Sequence, residues 1–287
     1  MRTEHLPMIL LHKNRATVTG WRITLMGTSL ALALASCTSA NQDDGKNNAQ
    51  CTNSTCIFDK KTQGSIRISS VQLSNGKKLP AEFYEYDGER RGTGTEYSRL
   101  VTLTLVNDGD RDGLINKVSV ELQDRLDMYR CAGPSLAAGY ASTHYSAIIP
   151  LEASIPSIIE AHLGGGPVFT VVSGGKADAL DLSVGPSRAY GGDYPTLYKF
   201  RVRLDEDGHR VLRSDQIVVA STEDSIEEAI SGYRQQLRSP GTYPGERQLA
   251  LQCFASYAEQ IKEFIRKVPY VAPSVNRLHE GIGGDPS

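Results

Sequence analysis

Val101-Thr102-Leu103-Thr104-Leu105-Val106-Asn107-Asp108-Gly109-Asp110-Arg111-Asp112-Gly113 is followed by Val118, Val120 and Leu122 at every second position. Successive side chains of a β-strand point to opposite faces, so this alternation gives each run one apolar and one polar face. The Asp and Gly residues between the runs are the types that turns require. Strand, polar turn and strand, each with one apolar face, predict a hairpin from a half-buried antiparallel sheet.

The same pattern extends in both directions. Upstream, Ile66 and Ile68, then Val71 and Leu73, alternate with polar residues over two short runs. Downstream, Phe169 to Val172 is short and apolar, and Leu180, Leu182 and Val184 alternate. Phe200, Val202 and Leu204 alternate with Lys199, Arg201 and Arg203, and the turn Asp205-Glu206-Asp207-Gly208 leads to Gln216-Ile217-Val218-Val219. Many short strands divided by Gly, Pro and Asp predict a mainly β fold, an antiparallel β-sandwich over residues 65–220. The span Val101 to Leu122 is similar to hairpins of immunoglobulin-like modules in bacterial surface proteins, which implies an immunoglobulin-like sandwich. Within this body, Tyr129 to Gly166 is rich in Ala, Ser, Gly and Pro. It reads as an elaborated crossover, with Ile155-Pro156-Ser157-Ile158-Ile159 as a short helix or an edge strand.

After residue 220 the period changes. Ser225 to Glu228 fits a capping box opening a helix through Leu237. Leu249, Cys253, Tyr257, Ile261, Phe264 and Val268 recur at spacings of three and four, an amphipathic helix that starts near Pro244 and stops before Pro269. Residues 221–275 are therefore expected to be a helical segment packed on the sandwich, and the Gly-rich residues 276–287 a loose tail.

The beginning of the chain has its own logic. Lys13, Arg15 and Arg22 precede an apolar run from Ile23 to Leu34, which ends in Leu34-Ala35-Ser36-Cys37. The run is roughly a dozen residues, short of the about 20 that span a bilayer. Small residues before a cysteine allow a peptidase to bind the segment in extended form. This arrangement resembles the signal peptide and lipobox of bacterial lipoproteins. The resemblance implies cleavage after residue 36, multiple acylation of Cys37 with palmitate-type chains, and a place in the cell envelope. Thr38 follows the cysteine instead of the Asp that tends to retain such proteins in the inner membrane, which favours the outer membrane of a double-membraned source. Residues 37–64 are polar, with too few apolar side chains to order themselves, and read as a flexible tether.

Removing 1–36 takes four basic residues (Arg2, Lys13, Arg15, Arg22) and one acid (Glu4) from totals of 31 and 33, leaving 27 and 32 and a net charge of −5. A mildly acidic surface argues against nucleic-acid binding, which needs a concentrated basic face.

Cys51, Cys56, Cys131 and Cys253 remain after lipidation. An even number in an exported chain suggests two disulfides. Of three possible pairings, Cys51–Cys56 as a small staple and Cys131–Cys253 as a pin between the long helix and the β body are favoured.

Two readings compete for the Asp-rich loop. Carboxylates at Asp108, Asp110 and Asp112, Gly113 sixth and Ile115 eighth resemble the first half of an EF-hand calcium loop. The twelfth position is Ser119, not Glu, and the flanks read as strands. The simpler reading is a solvated turn, with calcium carried as an alternative.

Signals for catalysis are thin. Gly-x-Ser-x-Gly and His-Glu-x-x-His are lacking. Gly174-Gly175-Lys176-Ala177 lacks the upstream glycine and the Ser/Thr of a phosphate loop. His144, His162, His209 and His279 are scattered, so no catalytic residue is nominated. The expected function is a non-catalytic, membrane-anchored envelope lipoprotein that binds another envelope or exported protein. The alternatives are an immunity or inhibitor lipoprotein against a secreted toxin or hydrolase, and a secreted hydrolase acting on cell-wall material.

Overall fold

The computed structural model describes residues 49–52, 55–58, 65–85, 89–129, 131, 140–143, 145–163, 166–167, 170–190, 195–206, 210–221, 223–238 and 245–283. Inside the stretch expected to be tether, β1 (Ala49–Thr52) and β2 (Thr55–Phe58) pair as a small hairpin. Local ladder bonds over four residues need no core, which is why a composition argument missed it.

The first sheet runs in the order β13-β6-β3-β4-β12-β7. Its strands are β3 (Ile66–Tyr84), β4 (Arg90–Asn107), β6 (Tyr140–Thr143), β7 (Ala147–Ile149), β12 (Ala177–Pro186) and β13 (Ala189–Tyr190). The second sheet is built on β5 (Gly113–Asp127) and β14 (Thr196–Glu206). β8 (Ser157–Glu160) and β11 (Thr170–Val172) flank β5. β15 (Arg210–Arg213) and β16 (Ile217–Ala220) flank β14, and β17 (Tyr270–Val271) adds to β16. The pairs β12–β7 and β16–β17 are parallel, while the long ladders are antiparallel. A small pair, β9 (His162–Leu163) with β10 (Gly166–Pro167), stands outside both sheets.

The core lies between the sheets. Leu103 and Val101 of β4 are register partners of Val71 and Leu73 on β3 and of Leu180 and Leu182 on β12. Facing them, Val118, Val120 and Leu122 pair with Leu204, Val202 and Phe200 across β5 and β14, all fully buried. The two short runs at Ile66/Ile68 and Val71/Leu73 are one strand. A register shift between Ile68 and Ser70 changes the parity of the inward positions, as a β-bulge does.

The Val101–Leu122 segment is not a hairpin. β4 belongs to the first sheet and β5 to the second, so the Asp-rich loop is a corner between layers. Alternation states that each strand has one apolar face; it is the same whether two strands pair side by side or face each other across a core.

Three helices complete the mainly β fold: α1 (Glu223–Arg238), α2 (Glu246–Ile265) and α3 (Pro273–Gly283). α1 begins before the expected Ser225 cap, and Ser225 is buried within it. On α2 the buried stripe is Ala250, Phe254, Tyr257, Ala258, Ile261 and Phe264, while Leu249 is 69% exposed. α3 occupies most of the expected loose tail and buries Val275, Leu278 and Ile282. Its Gly281 admits Ile230 of α1: a Cβ there would lie 2.8 Å from Ile230 Cγ1. The glycines that suggest a loose end therefore serve close helix packing. Lys199 of β14 lies 4.3 Å from the Phe264 ring centroid, so α2 covers part of the outer face of the second sheet.

Candidate partner-binding surface

The expected sites are best placed first. Cys37 lies outside the described residues, as do His144 and His209. Cys51 and Cys56 are register partners across the β1–β2 hairpin. Cys131 and Cys253 form a disulfide with Cα atoms 5.6 Å apart. Nearby, the Tyr129 amide donates to the Tyr257 hydroxyl at 2.6 Å, so the chain leaving β5 is clamped twice to α2.

The Asp-rich corner is organised by Asn107. Its buried Oδ1 accepts from the amides of Ser65 (2.9 Å) and Gly109 (3.0 Å). Its Nδ2 donates to the carbonyls of Arg111 (2.7 Å) and Val172 (2.8 Å). Asp108 pairs with Arg67 at 2.7 Å, and Asp112 Oδ1 accepts from the Gly174 amide at 3.2 Å. Asp110 is exposed. Among the described residues no group of three or more His, Cys, Asp or Glu is placed to hold a metal ion. The Gly174-Gly175 turn packs against this corner: a Cβ at Gly174 would lie 2.6 Å from the Asp110 carbonyl carbon, Gly175 has φ +66°, and its amide donates to Gly109 O at 2.9 Å. The two glycine-bearing motifs thus explain each other as one close backbone approach.

A different surface stands out on physical grounds. Among the described residues, large hydrophobics are exposed at Ile148 (41%), Leu151 (37%), Ile155 (42%), Ile158 (58%) and Val171 (51%), besides Tyr129 and Leu249. Four of these fall within residues 148–158, and Val171 lies on the strand that shares the β5 edge with β8. β7 edges the first sheet, β8 edges the second, and the two strands touch. Together they form one rim of the sandwich.

Period two builds this rim. Ala147 and Ile149 turn inward and leave Ile148 outside; Ile159 packs on the core and leaves Ile158 outside. The segment is held firmly. Arg125 Nη1 donates to Leu151 O at 2.6 Å, Ala161 N to Val118 O at 2.9 Å, and His162 N to Ser146 O at 2.6 Å. Ser146 and Ser183 hydroxyls lie 2.9 Å apart. The buried Tyr145 ring occupies the space a side chain at Gly185 would fill. Residues 145–163 thus pass from the first sheet at β7 to the second at β8, with 157–160 an edge strand.

Charges border the apolar rim. Ile158 sits opposite Glu121, which accepts both bonds of Arg213 Nε at 3.0 Å and lies 3.9 Å from Arg203. Arg203 Nε meets Asp205 at 2.7 Å, a bond that raises the guanidinium pKa above its ordinary value. Lys117 hydrogen-bonds Glu160 at 2.7 Å and holds that carboxyl below its usual range.

A depression of about 580 Å³ runs along α2 between Gly245 and Ala255. Its Arg247 donates to the carbonyls of Gln236 (3.1 Å) and Leu237 (2.8 Å) and serves as a C-terminal cap for α1. Among the described residues no helix is long and apolar enough to cross a membrane.

The chain matches no protein-family model, and comparison with curated proteins and with solved structures returns no significant match. The class defined by the fold is a two-sheet β-sandwich with a C-terminal helical layer.

Proposed function

We propose that this chain is a lipid-anchored envelope protein whose sandwich binds another envelope or exported protein through the β7–β8 rim, without catalysis of its own. One observation carries the binding role: Ile148, Leu151, Ile155 and Ile158 are all exposed within residues 148–158, a stretch whose backbone is tied down. Scattered exposed aliphatics need no explanation, but several within so short and firmly held a stretch support an interaction site. Support for the anchor comes from Leu34-Ala35-Ser36-Cys37 and the basic-apolar segment before it.

The test uses the full chain. Ile155→Asp combined with Ile158→Asp should remove a specific cross-linked partner from envelope extracts, while Gln72→Asp on the first sheet retains it. Both variants should melt near the parent, because both carry exposed substitutions. Loss of no partner by the rim variant would sink the binding surface. Cys37→Ala tests the address separately: the chain should move from the membrane fraction to the soluble one.

A further inference from the structure

Lys199 of β14 lies against α2, and two residues further along the strand Arg201 comes to the same outer face of the second sheet. Its neighbours Phe200 and Val202 are fully buried on the inner face. Across the sheet, Arg201 is the register partner of Glu121 on β5, and Glu121 is that of Ile158 on β8, which is 58% exposed. Arg201, Glu121 and Ile158 therefore form one row. The charges around this row do not balance. Both oxygens of Glu121 accept from Arg213 Nε at 3.0 Å, and Arg203 Nη1 lies 3.9 Å away. Asp205 takes Arg203 Nε at 2.7 Å, and Glu160 takes Lys117 at 2.7 Å. Lys117, Arg201, Arg203 and Arg213 thus face Glu121, Asp205 and Glu160, and Arg201 is the cation left over. Among the described residues it makes no hydrogen bond or ion pair, and its Nε is buried without a partner. Two side-chain bonds cross β14 beside it. Arg213 reaches Glu121 on one side; on the other, Gln216, just before β16, donates to Gln123 of β5 at 3.0 Å. Arg201 stands in the slot between them.

We propose that Arg201 is the charged anchor of the partner-binding surface and receives a carboxylate from an acidic segment of the partner protein. This rests on the reading of the β8 edge as that surface, and it adds the chemistry of the partner. The occupant follows from charge complementarity. One uncompensated positive charge lies among pairs that are already neutral, which suits a single negative charge. A guanidinium presents parallel N–H donors that match the two oxygens of a carboxylate. A phosphate would bring nearly two negative charges close to Glu121 and Asp205, and like charges repel. An acceptor entering the slot would also relieve a donor that is held without a partner at a cost in free energy. Ile158, in the same row, gives the apolar contact beside the charged one.

The test is titration of the full chain in detergent micelles with penta-glutamate, read by the arginine Nε–H resonances in nitrogen–proton correlation spectra. Penta-glutamate should shift the Arg201 resonance, and penta-glutamine should not. Arg201→Gln should weaken binding about tenfold or more, and Arg201→Lys should keep part of it, since a point charge lacks the paired donors. Arg67→Gln, on the other sheet, should leave binding unchanged. Arg201→Gln should melt near the parent, because it removes a donor that bonds nothing in the fold. No shift of Arg201 at about 10 mM peptide, where even a weak contact registers, would overturn the proposal. Tighter binding of inorganic phosphate than of the peptide would overturn it too, as would Arg201-dependent binding to phosphatidylglycerol vesicles with no response to the peptide. A melting temperature about 5 °C or more below the parent's would assign Arg201 to the fold instead. Failure here is separable from failure of the β8 surface, which the Ile155→Asp and Ile158→Asp variant reports through its cross-linked partner.

Discussion

At the scale of single residues, Asn107 does more than any carboxylate beside it. It ends β4, is fully buried, and satisfies two amides and two carbonyls from three separate segments. Asn107→Ala leaves all four groups without that partner, and a buried unsatisfied group costs about 1–3 kcal/mol. Partial relaxation at an exposed corner reduces the sum, so a loss of about 2–4 kcal/mol is expected by denaturant titration. Asn107→Asp keeps the acceptor but turns an anionic oxygen toward the Arg111 and Val172 carbonyls, and should be no better than Ala at neutral pH. A variant within 0.5 kcal/mol of the parent, about the range of ordinary surface substitutions, would show that the corner does not depend on it. Tyr198 supplies a pH dependence. Burial, aided by the nearby Asp127 charge, raises its hydroxyl well above the ordinary tyrosine range. Its folded pKa exceeds its unfolded one, so the stability it contributes is intact below about pH 10 and is lost as pH rises further. Tyr198→Phe should flatten the alkaline limb of stability against pH while leaving the acid limb unchanged.

At the scale of elements, the Cys131–Cys253 pair joins the segment after β5 to α2 across 122 residues of sequence. For loops of this length the chain-entropy model gives nearly 5 kcal/mol, and measured values run lower. Replacing both cysteines by Ser should cost about 2–4 kcal/mol, seen as a lower melting temperature. The helical signal should persist at room temperature, because Phe254, Ile261 and Phe264 still anchor α2. Loss of that signal would mean that the covalent pin, not the buried stripe, holds the helix. Strands and the long helix were legible in the sequence because period two and period 3.6 are local properties. The corner at 108–112 was not, since facing strands and paired strands share one pattern. The rim was legible only in outline: Ile155 to Ile159 reads as a short helix or an edge strand, and which isoleucines stay exposed is decided by where that edge lies. The disulfide was nominated by counting cysteines, with no geometric signal.

At the scale of the whole molecule, sheets and helices share one continuous apolar cluster, from Ile66 and Val101 through Val218 to Phe264, Val275 and Leu278. The helical appendage therefore shares its core with the sandwich. α3 shows this most directly, since it packs against α1, α2 and β16. The Ala272 amide that precedes it donates to Val218 O at 2.9 Å. Ending the chain at Ala272 would uncover the neighbours of Val275, Leu278 and Ile282. Fully burying an aliphatic side chain is worth about 1.5–3 kcal/mol, so three amount to about 5 kcal/mol or more. Domains have only about 5–15 kcal/mol in total. The shortened chain should thus lose much of its stability, bind hydrophobic dyes, and show weakened hydrogen-exchange protection in β16 as well as in α1 and α2. Substituting Val275 and Leu278 each by Ala should reproduce the effect in smaller steps, with a single cooperative transition retained. A truncated chain whose sandwich amides exchange as slowly as the parent's would instead divide the molecule into an autonomous sandwich and a separate helical unit.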